Sequence, residues 1–151
     1  GVGAAAGYWL HDSDSSPRDP EMVVGRVWVE AKPSKKTDYV QGLFLGPKVG
    51  YGLFQRSSMF DFHLEAVKWK RDGNKLTFNF PQSNKSTDVT VTVSNCRAIP
   101  PFDLCLDLSE NPWGGPKRYY STGKKSAEAD AALGAFAALP AEAEALSQAD
   151  K

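Results

Sequence analysis

Asp61, His63 and Glu65 alternate along one strand-like run, MFDFHLEAV, and are the residues of this chain best placed for acid–base chemistry. Alternate residues of a strand project from one face. An imidazole two positions from a carboxylate can touch it, and the three groups would form a proton-transferring set if that face lined a cavity. On a solvent-facing strand the same residues are an ordinary polar face, so their burial separates the two readings. A second constellation offers recognition. Asn111-Pro112-Trp113-Gly114-Gly115-Pro116 is followed by Lys117-Arg118-Tyr119-Tyr120. Prolines and glycines there fix an aromatic on a tight loop at a strand end, and Trp, Tyr and Arg are the residue types of binding hot spots. The competing reading is a tryptophan that plugs one end of a barrel.

The remaining polar sets carry less. His11-Asp12-Ser13-Asp14 has the Asp-x-Asp spacing of calcium loops without their glycine and distal glutamate, and reads as a solvated turn. Asp103 and Asp107 share a strand face with Cys105 between them and read as a solvated outer face. Two cysteines and two histidines, widely scattered, make no zinc pattern. No nucleophile motif or phosphate loop is present, so no metal or cofactor is expected.

The elements that position these residues are strands. Met59–Phe80 reads as a β-hairpin, with Asp72-Gly73 as a two-residue turn. That turn pairs Trp69 with Leu76 and Val67 with Phe78. Phe60, Phe62 and Leu64 are out of phase with Val67 and Trp69. One extra residue near Glu65-Ala66 repairs the phase and predicts a β-bulge in a bent strand. Gly7–His11 reads as a first strand with Trp9 inward. Met22–Ala31, Tyr39–Leu45, Val49–Gln55, Asp88–Ser94, Phe102–Ser109 and Lys117–Ser121 read as further strands, with Gly42, Gly46, Gly50 and Gly52 suiting bent strands or close backbone approach. From Ser126 the chain is alanine-rich and helical, with Leu133, Phe136 and Ala137 as a short apolar stripe and Pro140 ending or restarting the helix.

This pattern predicts an all-β antiparallel meander of roughly eight strands, an up-and-down barrel or a sandwich, with a C-terminal helical arm. The expected boundaries are a tail over residues 1–7, the β domain over 8–121 and the arm over 122–151. The start at Gly7-Tyr8-Trp9, the meander and the trailing helix resemble the calycin group, the lipocalins and their relatives. The resemblance implies a barrel that can hold one small ligand. The helix that usually accompanies the first calycin strand is not evident.

The 151 residues balance 18 basic against 18 acidic side chains. This argues against a general nucleic-acid binder. No apolar run approaches the roughly 20 residues that span a bilayer as a helix. Cys96 and Cys105 fall on the polar faces of their strands, opposite Val89, Val91, Val93 and Leu104, Leu106, Leu108. A disulfide between them is expected, with two unrelated thiols as the alternative, and it points to an oxidising compartment: periplasm, extracellular space or an organelle lumen.

The function expected from these features is non-enzymatic binding of a small apolar ligand or a protein. The ligand-facing candidates are Phe60, Phe62, His63, Trp69, Phe78, Trp113, Arg118 and Tyr119. Leu133 and Phe136 are the candidates for holding a partner, because alanine-rich surface predicts weak docking of the arm on its own barrel. The alternatives are an accessory subunit anchored through both tails, and a small hydrolase or isomerase built on Asp61, His63 and Glu65.

Overall fold

Gly73 takes φ 63° as the first central residue of a two-residue turn that joins two adjacent strands of the sheet. A turn with positive φ at that position wants glycine. In the computed structural model, which describes residues 17–30, 39–46, 50–58, 61–97, 101–123, 133 and 136–149, nine strands are arranged in one antiparallel sheet. They are β1 (Pro17–Arg18), β2 (Val27–Val29), β3 (Val40–Leu45), β4 (Tyr51–Ser57), β5 (Phe62–Asp72), β6 (Lys75–Phe80), β7 (Lys85–Asn95), β8 (Leu104–Leu108) and β9 (Arg118–Ser121). Consecutive strands from β3 to β8 pair as hairpin neighbours, and β9 bridges β8 and β2 to close an eight-stranded barrel. β1 lies outside this cylinder on the second half of β7, pairing Pro17 with Ser94. One helix, α1 (Leu139–Ala149), follows the barrel. The expected strand at Gly7–His11, with Trp9, lies outside the described residues, as do Phe60, the His11–Asp14 turn and the Ser126 cap.

The hairpin register differs from the sequence expectation by two residues. Trp69 pairs with Phe78 and Arg71 with Leu76, because Gly73-Asn74, and not Asp72-Gly73, makes the turn. A shift of two keeps every side chain on its face. The expected bulge at Glu65-Ala66 is replaced by a different cause of the phase change. β4 and β5 stay in one register from Tyr51 opposite Lys68 to Ser57 opposite Phe62. β5 is instead apolar on both faces: Val67 and Trp69 point into the barrel, while Leu64 and Ala66 point out beneath α1. The expected strand at Met22–Ala31 is also shorter. Pro20–Val23 forms a 3-10 turn whose N-terminus is capped by Asp19, and Gly25 at φ 77° turns the chain into β2.

Two apolar layers follow from this two-faced wall. Inside, Trp28, Leu43, Phe54, Val67, Leu76, Phe78, Leu106 and Tyr119 meet in one cluster and are each fully buried. An eight-stranded barrel is just wide enough for such side chains to fill it. Outside, Val29, Val40, Phe44 and Leu53 are covered by Phe136, Leu139 and Ala143. The expectation of a weakly docking arm fails here for a specific reason. Gly42 faces outward with no side chain, and the Phe136 ring occupies that space; a Cβ on Gly42 would lie 2.6 Å from Phe136 Cε1. The aromatic ring seated on the glycine brings the largest apolar surface to this contact, with Leu139 and Ala143 buried beside it. Pro140 stands in the first turn of α1, where its missing N–H breaks no helical hydrogen bond.

β5 outruns its neighbour. Its ladder with β6 begins at Asp72 opposite Lys75 and stops at Lys68 opposite Asn79, while its ladder with β4 continues to Phe62. The Trp69 N–H donates to Gly50 O, which fixes the odd-numbered backbone groups of β5 toward β4. The even-numbered groups at Phe62, Leu64 and Ala66 therefore face the opposite edge, where no strand pairs with them among the described residues.

Candidate functional site

Each barrel wall delivers one row of side chains to the end at which β5 overhangs. Gln41, Arg56 and His63 lie side by side across β3, β4 and β5, and Leu43, Phe54 and Glu65 form the next row inward. The loop Asn111–Pro116 folds over these rows. Asn111 begins it with an Asx turn, its Oδ1 accepting the Trp113 N–H at 3.0 Å. Gly114 and Gly115 take φ 88° and 113°, and a side chain on Gly115 would strike the Gln41 amide.

Trp113 is thereby held as a plug. Its ring packs on Phe54 with centroids 5.5 Å apart, its Nε1–H donates to Glu65 Oε1 at 2.9 Å, and the Arg56 guanidinium lies over it at 5.2 Å. Beneath it runs a polar network. Tyr119 donates its hydroxyl to Gln41 Oε1 at 2.9 Å and accepts from Asn111 Nδ2 at 2.8 Å. Gln41 Nε2 donates to Gly114 O at 2.9 Å, and the Gln41 backbone N–H donates to Glu30 Oε1. No buried side-chain polar atom among the described residues lacks a partner. Such a network orders the loop at a defined geometry.

Burial pushes the Tyr119 hydroxyl well above the ordinary tyrosine range. Above about pH 10 an unfolded tyrosine ionises while Tyr119 in the barrel stays protonated, so stability falls as pH rises past that point. Tyr119→Phe is expected to cost about 1–2 kcal/mol at neutral pH by unpairing Gln41 and Asn111. It should also flatten the alkaline loss; thermal melts of both proteins from neutral pH to pH 11 check this.

The three residues of the acid–base set part company. Glu65 turns into the mouth and is taken by Trp113. Asp61 and His63 remain at the rim, His63 Nε2 standing 3.3 Å from Asp61 Oδ2 with both side chains more than half exposed. Tyr39 joins them, its hydroxyl 3.2 Å from Asp61 Oδ2 and its ring stacked 6.5 Å from His63. Phe62 projects from the outer face beside this trio and is 64% exposed.

The other candidates lie elsewhere. Phe78 is part of the filled interior. Trp69 is half-buried at the opposite end, donating its Nε1–H to Tyr51 O at 3.2 Å. Arg118 points outward into a two-pronged pair with Asp107, at 2.7 and 3.0 Å. Leu133 and Phe136 are packed against the outer wall of their own barrel. The structure thus brings together Trp113 and Tyr119 from the expected set, leaves His63 at the rim beside Asp61, and adds Gln41, Arg56 and Glu30 to the mouth. Gln41 sits inside a run that reads as plain strand and Arg56 lies one residue past the expected end of another, and only their cross-strand register could single them out.

Cys96 and Cys105 form a disulfide with Cα atoms 5.7 Å apart, tying the end of β7 to the start of β8. Cys105 lies on the outer face as expected, yet it is fully buried. Among the described residues, no group of three or more His, Cys, Asp or Glu is placed to hold a metal ion, and no helix is long and apolar enough to cross a membrane.

Fold and site together define a closed eight-stranded antiparallel barrel with a packed interior, a plugged mouth and a helix seated on its outer wall. Comparison with known protein families, with characterised proteins and with solved structures gives no match for this chain.

Proposed function

We propose that this barrel is a non-enzymatic interaction module that engages a protein on the outside of its wall, at the overhanging flank of β5, in an oxidising compartment. One observation carries the reading. The barrel interior is occupied by its own side chains, while Tyr39 (47% exposed) and Phe62 (64% exposed), the large hydrophobics left exposed among the described residues, stand at the same rim. Exposed aromatics beside polar groups and an unpaired strand edge are what a protein contact uses. The separation of Glu65 from Asp61 and His63 weighs against a converged catalytic set. The seating of Phe136 on Gly42 weighs against a partner held through the C-terminal arm. The disulfide supports the compartment.

Two measurements test this. A fluorescent fatty-acid analogue should show no saturable binding to the folded protein; stoichiometric binding that quenches tryptophan fluorescence would establish the small-ligand alternative. A photo-reactive phenylalanine analogue at position 62 should cross-link to a protein in the native compartment, while the same group at exposed Lys70 should not. Equal capture at both positions would remove the β5 flank from the account.

A further inference from the structure

We infer that the partner on the β5 edge is a second copy of this chain, paired antiparallel about Leu64; the inference rests on the interaction reading given above. Among the described residues no strand pairs with the even-numbered backbone groups of Phe62, Leu64 and Ala66, and an open edge is a template for another strand. Proteins blunt such edges with lysine, proline, a bulge, a short strand or an inward-pointing charge, and here Glu65 is such a charge, held by Trp113. Phe62–Ala66 contains no lysine or proline, and its register with β4 is unbroken.

The segment is complementary to itself in one register. A two-fold axis through Leu64 sets Leu64 against Leu64 of the other copy and Phe62 against Ala66, each as a pair that exchanges both backbone hydrogen bonds. His63 then stands opposite Glu65 of the other copy in a closely spaced backbone position, once on each side of the axis, with the Glu65 carboxylate also accepting from Trp113 of its own chain. The outer face becomes a continuous apolar stripe that covers Phe62. Neighbouring registers with the same backbone directions are disfavoured by charge. An axis through His63 sets Asp61 against Glu65 and His63 against itself, and an axis through Glu65 sets Glu65 against itself. Since a one-residue change in this pairing places like charges together, the register is specified by sequence. An edge pair of this length buries less than a standard interface, so the dimer is concentration-dependent.

Sedimentation of the full chain from about 1 µM to about 1 mM should show a monomer–dimer equilibrium. Phe62→Lys should abolish the dimer, and His63→Glu, which sets like charges opposite Glu65, should weaken association at least about tenfold. Circular dichroism of both variants should match the wild type, since both side chains are exposed, and any change in the melting of dilute His63→Glu reads the loss of its own contacts with Asp61 and Tyr39. As a positional check independent of those variants, Leu64→Cys should cross-link to its own counterpart on mild oxidation, because paired residues of this kind lie about 5.5 Å apart at Cα, within disulfide reach. A cysteine replacing Lys70 should not cross-link. A wild-type chain that stays monomeric throughout overturns the second copy as partner. A dimer indifferent to Phe62→Lys and His63→Glu overturns the edge as its interface. If the chain is monomeric and position 62 still captures a different protein, the interaction reading stands and the self-pairing inference falls.

Discussion

Phe136→Ala is expected to lower stability by about 3 kcal/mol, a large share of what holds the helical arm to the barrel. The ring is almost fully buried against Gly42 and the outer wall, and alanine leaves a void there. The companion substitution makes this specific. Gly42→Ala puts a methyl group where the Phe136 ring sits, so it should cost a comparable amount by displacing the ring. In the Phe136→Ala background that same methyl enters vacated space and should be close to neutral. A double-mutant cycle is therefore expected to show a coupling of more than about 1 kcal/mol. Denaturant unfolding and amide exchange across α1 measure it. Additive effects would mean that Gly42 and Phe136 act separately, and that the arm is held by Leu139 and Ala143 alone.

Removing the disulfide comes second in size. The Cys96–Cys105 link closes a loop with a sequence separation of 9 residues. Chain entropy assigns such a loop about 2–3 kcal/mol. For a domain of this size that corresponds to a fall in Tm of about 5–10 °C. The effect should be the same for reduction and for the double replacement Cys96→Ala/Cys105→Ala. Cys105 is fully buried between Ser94 and Tyr120, so reduction is expected to require denaturant or a strong reductant. Calorimetry with and without reductant, with alkylation mass as the check on oxidation state, decides this. A native protein that alkylates at both cysteines without denaturant would contradict the link and the compartment proposed from it.

Strand periodicity made most of the barrel legible. The alternations Val89, Val91, Val93 and Leu104, Leu106, Leu108 point inward as the sequence pattern implies, and the opposite parity of Cys96 and Cys105 placed them within reach of each other. Where periodicity misled, a second apolar layer was the reason. Leu64 and Ala66 broke the phase of β5, and a bulge is the simplest cause within one strand. The actual cause is a helix about 75 residues further along the chain that makes the outer face apolar too. The same helix explains why Gly42 looks like a concession to strand bending when it is a seat for Phe136. The plug was half legible. Asn-Pro-Trp-Gly-Gly-Pro announces a tight loop bearing an aromatic, but its acceptor Glu65 and its cover Arg56 are joined to it only by closure of the barrel.

The central claim is that the overhanging edge of β5 is open for pairing while the barrel interior is closed. Amide hydrogen exchange at single-residue resolution on dilute protein tests it most directly. His63, Glu65 and Val67 donate toward β4 and should be protected, whereas Phe62, Leu64 and Ala66 should exchange faster by at least about a hundredfold. Equal protection of all six amides in the dilute protein would show that the edge is already covered, and would contradict the account.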